Sequence, residues 1–172
     1  MNFHELLSNK SLKPKEITET LSKWVMENPE KLNLLIDFAK KAKDPAKATC
    51  IEALEFATKS KPAIASSACL KFVSETLTEK APRVKWESAR VVGNIAHLYP
   101  EHLEDAIKNL IANTKHQGTV VRWSAAVALG EIIKLKTSRN TELLPIIESI
   151  CNIEEKNSIK KIYLAAFKKA KS

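Results

Sequence analysis

Apolar residues recur along most of the chain in steps of three and four. Val121, Ala125, Leu129 and Ile132 fall at relative positions 0, 4, 8 and 11, one face of a helix with 3.6 residues per turn. Ile159, Ile162, Tyr163, Ala166, Phe167 and Ala170 form a similar face near the C-terminus. Short polar stretches such as Lys43-Asp44-Pro45 and Lys115-His116-Gln117-Gly118 interrupt the pattern. Pro62, Pro82 and Pro100 stand where helices would begin, and a proline there sacrifices no intrahelical hydrogen bond. The pattern predicts helices near 14–27, 30–42, 46–59, 62–79, 83–98, 101–114, 119–136, 141–151 and 157–170, with no strand. Only 3 glycines and few turn dipeptides occur, which excludes an array of tight hairpins.

The helical pattern repeats. Val84-Lys85-Trp86-Glu87-Ser88-Ala89-Arg90-Val91-Val92-Gly93-Asn94-Ile95 returns 37 residues later as Val121-Arg122-Trp123-Ser124-Ala125-Ala126-Val127-Ala128-Leu129-Gly130-Glu131-Ile132. Valine, a basic residue and tryptophan open both copies. Alanine holds the sixth place, glycine the tenth and isoleucine the twelfth. Looser copies begin at Ala46 and at Ile159, each 38 residues from its neighbour. A near-constant period with two helices per unit predicts an α-solenoid. The expected organisation is a single domain over 1–172: an N-terminal cap over 1–28, then repeats at about 29–60, 61–98, 99–137 and 138–172.

These motifs resemble the HEAT repeat, in which a helix pair with Asp-Pro in its turn is followed by Val-Arg, alanine and Leu-Gly. Val84-Lys85, Ala89 and Val92-Gly93 match in one unit, and Val121-Arg122, Ala126 and Leu129-Gly130 in the next. Asp44-Pro45 and Leu144-Pro145 fit the family's turn and first-helix proline. The resemblance spans roughly residues 29–172; its period is somewhat short, and the first and last units lack Val-Arg and glycine. It implies a right-handed superhelix whose second helices line a concave face, and a function in binding other macromolecules.

Composition narrows the class. Of the 172 residues 44% are hydrophobic, enough to order a globular core and too many for a disordered chain. No apolar run approaches the ~20 residues of a membrane span, and the N-terminus has no apolar stretch behind a basic start. Cys50, Cys69 and Cys151 are far apart and lack metal-ligand spacing, so they read as small buried hydrophobes in a reducing compartment, with the cytoplasm expected. The net charge of +8 is unevenly placed: residues 1–155 contribute +2 and residues 156–172 contribute +6.

Trp86 and Trp123 occupy the same column of adjacent repeats, about 200° round the helix from the core valine. Arg90 shares the side of Trp86. Two readings stand: a paired-indole shelf beside a guanidinium, offered to a partner's side chain or a base, or indoles filling the groove between repeats with each N–H on a carbonyl. Lys85 and Arg122 are expected to bond acidic groups between repeats. The candidate groove comprises Trp86, Arg90, Asn94, Trp123, Val127 and Glu131. Lys160, Lys161, Lys168 and Lys169 form a candidate basic patch that either docks phosphates or an acidic protein, or keeps the exposed end of the array soluble.

No Ser-His-Asp order, phosphate loop or dinucleotide fingerprint occurs. His4, His97, His102 and His116 form no metal-ligand pair, and the pairs Glu52/Glu55 and Glu101/Glu104 read as solvated helix faces. The concave column, with Ala48, Trp86, Trp123 and Lys161 at one level and Glu52, Arg90, Val127 and Ala165 at the next, is mixed in charge. The expectation is a non-catalytic interaction module that takes a protein or peptide on the concave face, works as a monomer or weak oligomer, and needs no cofactor or metal. The alternative is nucleic-acid binding. HEAT-like DNA alkylation repair glycosylases also use concave-face tryptophan and arginine, but the aspartate and arginine-rich stretch of that family have no counterpart here.

Overall fold

A computed structural model describes all residues 1–172. Ten α-helices follow one another: α1 Phe3–Ser8, α2 Pro14–Glu27, α3 Leu32–Lys41, α4 Ala46–Ser60, α5 Ser67–Thr76, α6 Pro82–Ile95, α7 Glu104–Asn113, α8 Thr119–Ile133, α9 Asn140–Ile153 and α10 Asn157–Lys171. No strand is present. The even-numbered helices form one layer, α2 on α4, α4 on α6, α6 on α8 and α8 on α10. The odd-numbered helices form the other, with α3 on α5 and α5 on α7. The molecule is an α-solenoid, and its core of 43 buried residues runs between the layers. Val121, Ala125, Leu129 and Ile132, the face read from spacing, are all buried.

Small residues set the curvature. A Cβ added to Gly93 would lie 3.5 Å from the Cα of Ala128, and one added to Gly130 would lie 3.1 Å from the Cβ of Ala166. Glycine and alanine therefore let α6, α8 and α10 approach backbone to backbone. The odd layer is looser: between α5 and α7 a cleft of about 720 Å³ opens, lined by Leu70, Lys71, Ser74, Glu104 and Asp105. The closely spaced even layer is consequently the concave side.

Several helix limits differ from those expected. The stretch 62–79 is broken: a 3-10 turn spans Pro62–Ile64, and α5 starts after Ser66, whose side chain accepts a hydrogen bond from the amide of Cys69 at 3.2 Å. Pro100 likewise opens a 3-10 turn before α7 rather than the helix itself. Helix α8 ends at Ile133 rather than near 136, where Asn140 Nδ2 donates to the Ile133 carbonyl at 2.7 Å and Lys136 turns the chain with φ of 55°.

The N-terminal segment holds two helices where one was expected. In α1, Phe3 packs edge-on against Trp24 at 5.2 Å between ring centroids and, tilted by 50°, against Phe38 at 5.3 Å. These contacts cover the start of the array. Cys50, Cys69 and Cys151 are buried free thiols, and burial pushes Cys50 and Cys69 up to about 12. No helix is long and apolar enough to cross a membrane.

Candidate functional site

The concave face is tied across its helices by polar bridges. On the N-terminal side, Glu52 on α4 accepts from Thr18 on α2 at 2.9 Å and from Arg83 on α6 at 2.6 Å. In the turns at the edge of the array, the guanidinium of Arg122 on α8 holds Glu154, in the loop after α9, at 3.0 Å and donates to the carbonyls of His116 and Gln117. Burial alone would raise the carboxyl of Glu154, but hydrogen bonds from Arg122 and the Lys156 amide, with the Arg122 charge, carry it below its ordinary value. Arg122 thus bonds an acid between repeats. Lys85, expected to do the same, donates instead to the Leu77 carbonyl at 2.9 Å and to Asn113 Oδ1 at 3.1 Å, because the facing side chain on α7 is an amide.

On the even layer lies an open cleft of about 420 Å³, whose walls include Glu55 of α4, Arg90 and Asn94 of α6, and Trp123, Val127 and Glu131 of α8. Five of the six groove residues picked from the sequence meet there. Trp86 does not. It is half-buried, and its Nε1–H donates to Glu87 Oε1 at 2.8 Å. Trp123 is 40% exposed, and its indole N–H has no hydrogen-bond partner in the protein. No ring contact joins the two indoles; the aromatic contacts of the molecule are confined to Phe3, His4, Trp24 and Phe38. Asn94 spends its amide hydrogens on the Glu55 carbonyl at 3.2 Å and on Thr58 Oγ1 at 3.1 Å, leaving Oδ1 free to accept. Glu131 pairs with Lys134. A second cleft, of about 400 Å³, continues toward α2 past Ser22, Met26 and Phe56, and Glu55 and Arg90 form the sill between the two.

Sequence reasoning missed the most unusual groups on this face. Glu55, expected on a solvated face, is 2% exposed, and Glu87 is 3% exposed. Arg90 lies between them, 3.1 Å from Glu55 and 3.7 Å from Glu87. Burial raises both carboxyls, against the opposing charge of Arg90 and, for Glu87, the bond from Trp86. One signal was present: Glu55 holds the tenth place of its repeat, where the next two repeats have Gly93 and Gly130. Ala48, placed in the lining column, is buried.

The four lysines of the candidate basic patch all lie on α10. Lys161, Lys168 and Lys169 are exposed, Lys160 is half-buried, and none is ion-paired. Their neighbour Lys171 pairs with Glu148 at 2.5 Å.

No protein-family model and no curated protein sequence matches the chain. Solved structures do. An engineered protein superposes with a TM-score of 0.72 at 18% identity, over 99% of this chain and 47% of its own, so this chain spans just under half its length. A designed armadillo repeat protein, solved in complex with the peptide (KR)4, superposes with a TM-score of 0.70 at 15% identity, over 98% of this chain and 80% of its own. A second engineered protein gives 0.69 at 17% identity, over 98% and 77%. The fold they share with this chain is that of helical-repeat solenoids.

Proposed function

We propose that the chain is a non-catalytic interaction module of HEAT-like repeats that holds a protein or peptide segment along its concave face. The observation that carries this reading is Trp123: a large aromatic side chain, 40% exposed, with an unspent N–H, in the wall of an open cleft on a face otherwise tied by polar bridges. Exposed tryptophans in grooves are the side chains that dominate binding energy when a partner covers them. Across the cleft, Asn94 offers Oδ1 as an acceptor for a backbone N–H. An extended segment would find an aromatic wall and a backbone anchor on adjacent helices. The similar designed armadillo repeat protein was solved with a peptide bound, which supports this use of the fold. The repeat type rests on the Val-Lys/Arg, Ala and Gly positions shared by α6 and α8.

A peptide suits this face better than a nucleic-acid backbone. Glu52, Glu55 and Glu131 interrupt any basic stripe along it, and the candidate basic patch of Lys160, Lys161, Lys168 and Lys169 lies on α10, at the end of the array. Three buried free thiols fit a reducing compartment such as the cytoplasm.

The test is selection from a displayed library of random peptides with wild-type protein, followed by rebinding to Trp123→Ala and to Trp86→Ala with Trp123→Ala. Selected peptides should lose binding to both variants while helical circular dichroism is kept. Peptides that bind the variants as well as wild type would sink the groove. Labelled single- and double-stranded DNA and RNA across a salt series form the second arm. Affinity that falls with salt and is lost on charge reversal at Lys160 and Lys161 would favour nucleic acid instead.

A further inference from the structure

We propose that the outer face of α10 takes an acidic amphipathic helix of a partner protein, which lays an apolar residue on Leu164 and carboxylates on Lys161 and Lys168. None of these three residues lines the concave clefts. The register of the repeat locates the face. Gly93, at the tenth place of α6, is met by Ala128, at the eighth place of α8; Gly130, at the tenth place of α8, is met by Ala166, at the eighth place of α10. The tenth place of an even helix therefore looks toward the next one. In α10 that place is Lys168. Leu164 holds the sixth place, four residues earlier on the same side. Its counterparts Ala89 and Ala126 are buried, whereas Leu164 is 58% exposed.

Helix α10 packs on α8 and α9, and its opposite side is where a further even helix would lie. The start of the array is closed differently, by α1, which brings Phe3 onto Trp24 and Phe38. Helical spacing puts Asn157, Lys161, Leu164, Lys168 and Lys171 on the outer side of α10, and all five are exposed. Lys171 is held by Glu148, while Lys161 and Lys168 pair with no carboxylate. Residues 156–172 carry six lysines and no acid, so the helix cannot neutralise itself. A cap that served only to keep the end soluble would be polar throughout; here a leucine sits between the unpaired lysines.

The chemistry of the face selects its occupant. Lys168 stands where α6 and α8 have glycine, and it bars the backbone-to-backbone approach that Gly93 and Gly130 permit. A helix on this side is therefore held side chain to side chain. Asp or Glu three or four residues either side of an apolar residue matches Lys161 and Lys168 about Leu164. Covering Leu164 adds the burial of apolar surface to the charge attraction. A phosphate backbone would pair with the lysines and gain nothing from the leucine, which favours a helix over a nucleic acid. One leucine and two lysines make a small contact, of the weak and transient class, and a salt-sensitive one.

A displayed library of single helices with randomised surface positions tests the assignment. Wild type is the bait, and the triple variant Lys161→Gln, Leu164→Gln, Lys168→Gln removes helices that bind elsewhere. All three positions are exposed, so the fold should be kept, as circular dichroism checks. Selected helices should carry Asp or Glu three or four residues either side of an apolar residue. Their binding should weaken about fivefold or more with Leu164→Gln, and similarly with Lys161→Gln plus Lys168→Gln. Lys41→Gln with Lys43→Gln, which removes the same charge from the other end of the molecule, should change it little. Failure to enrich any helix that depends on α10, or enrichment without the acidic-apolar pattern, would overturn the inference and leave the concave groove standing. Single-stranded DNA or RNA bound through the lysines regardless of Leu164, and more tightly than any selected helix, would assign the face to phosphates instead. A wild-type dimer in sedimentation equilibrium that dissociates with Leu164→Gln would assign it to a second copy of the chain.

Discussion

Arg90 on α6 reaches across to Glu55 on α4, with its guanidinium 3.1 Å from a carboxylate that is 2% exposed. The pair ties two concave-face helices and also forms the sill between the two clefts. Removing the arginine would leave Glu87 buried with no counter-charge and Glu55 with only the exposed Lys59. Arg90→Ala is expected to destabilise by about 2–3 kcal/mol at neutral pH, below the full figure for a sealed ion pair because Arg90 is partly solvated. Urea unfolding at pH 7 and at pH 5 checks it, and the loss should shrink at pH 5 as the acids take up protons.

The two acids also set a pH dependence. Burial raises both carboxyls in the folded state, with Arg90 and Lys59 opposing at Glu55, Trp86 and Arg90 opposing at Glu87, and Glu52 adding to the rise at both. The folded protein then binds more protons than the unfolded chain between the two sets of pKa values. Their contribution to stability is full below the ordinary carboxylate range and falls as pH rises through the folded values. Glu55→Gln with Glu87→Gln should flatten this decline and melt at or above wild type at pH 7. Glu154 works in the opposite sense: its lowered carboxyl stabilises above the ordinary range and loses that contribution on acidification. Melting temperatures from pH 4 to pH 8 for wild type, the double variant and Glu154→Gln separate the two. A double variant with an unchanged slope would contradict the assignment.

The glycines of α6 and α8 should respond differently to one added methyl. At Gly93 the new Cβ meets Ala128 at ordinary contact distance, 3.5 Å, so Gly93→Ala should gain up to about 1 kcal/mol of helix propensity. At Gly130 it would lie 3.1 Å from the Ala166 Cβ, so Gly130→Ala should gain less or lose. Gly130→Val, which wedges α8 from α10, should lose about 1–3 kcal/mol. Thermal melts of the three variants rank them.

Trp123 should be the accessible indole. Acrylamide is expected to quench its emission more than that of Trp86, whose N–H is bound to Glu87, or Trp24, which is packed against Phe3. Single-tryptophan variants, with phenylalanine at the other two positions, make the comparison. Equal quenching of Trp86 and Trp123 would mean that their environments do not differ.

Much of the solenoid was legible because its core is periodic. Val121, Ala125, Leu129 and Ile132 declare a buried face by spacing alone, and the copy at Val84 declares the period. The glycines at the tenth place had a reason visible only once Ala128 and Ala166 were seen across the helix interface. Helix α1 was not legible: six residues carry too little periodicity, and what orders them is Phe3 meeting Trp24 and Phe38 from later in the chain. Glu55 and Glu87 were missed for the same physical reason. An acid on a helix reads as solvated unless neighbouring helices close over it, and those neighbours are distant in sequence. Trp86 and Trp123, equal in register, diverge because Trp86 is followed by a carboxylate that takes its N–H and Trp123 by Ser124, which does not.

The most direct test of the concave face as the binding surface is a nuclear magnetic resonance titration with a peptide selected from the displayed library. The indole N–H signals of Trp24, Trp86 and Trp123 report from three places on the molecule. Binding in the groove predicts that the Trp123 signal moves most, together with the side-chain amide of Asn94, while Trp24 stays still. Saturable shifts confined to Trp24 or to the amides of α5 and α7, with Trp123 unmoved, would place the partner elsewhere and contradict the account.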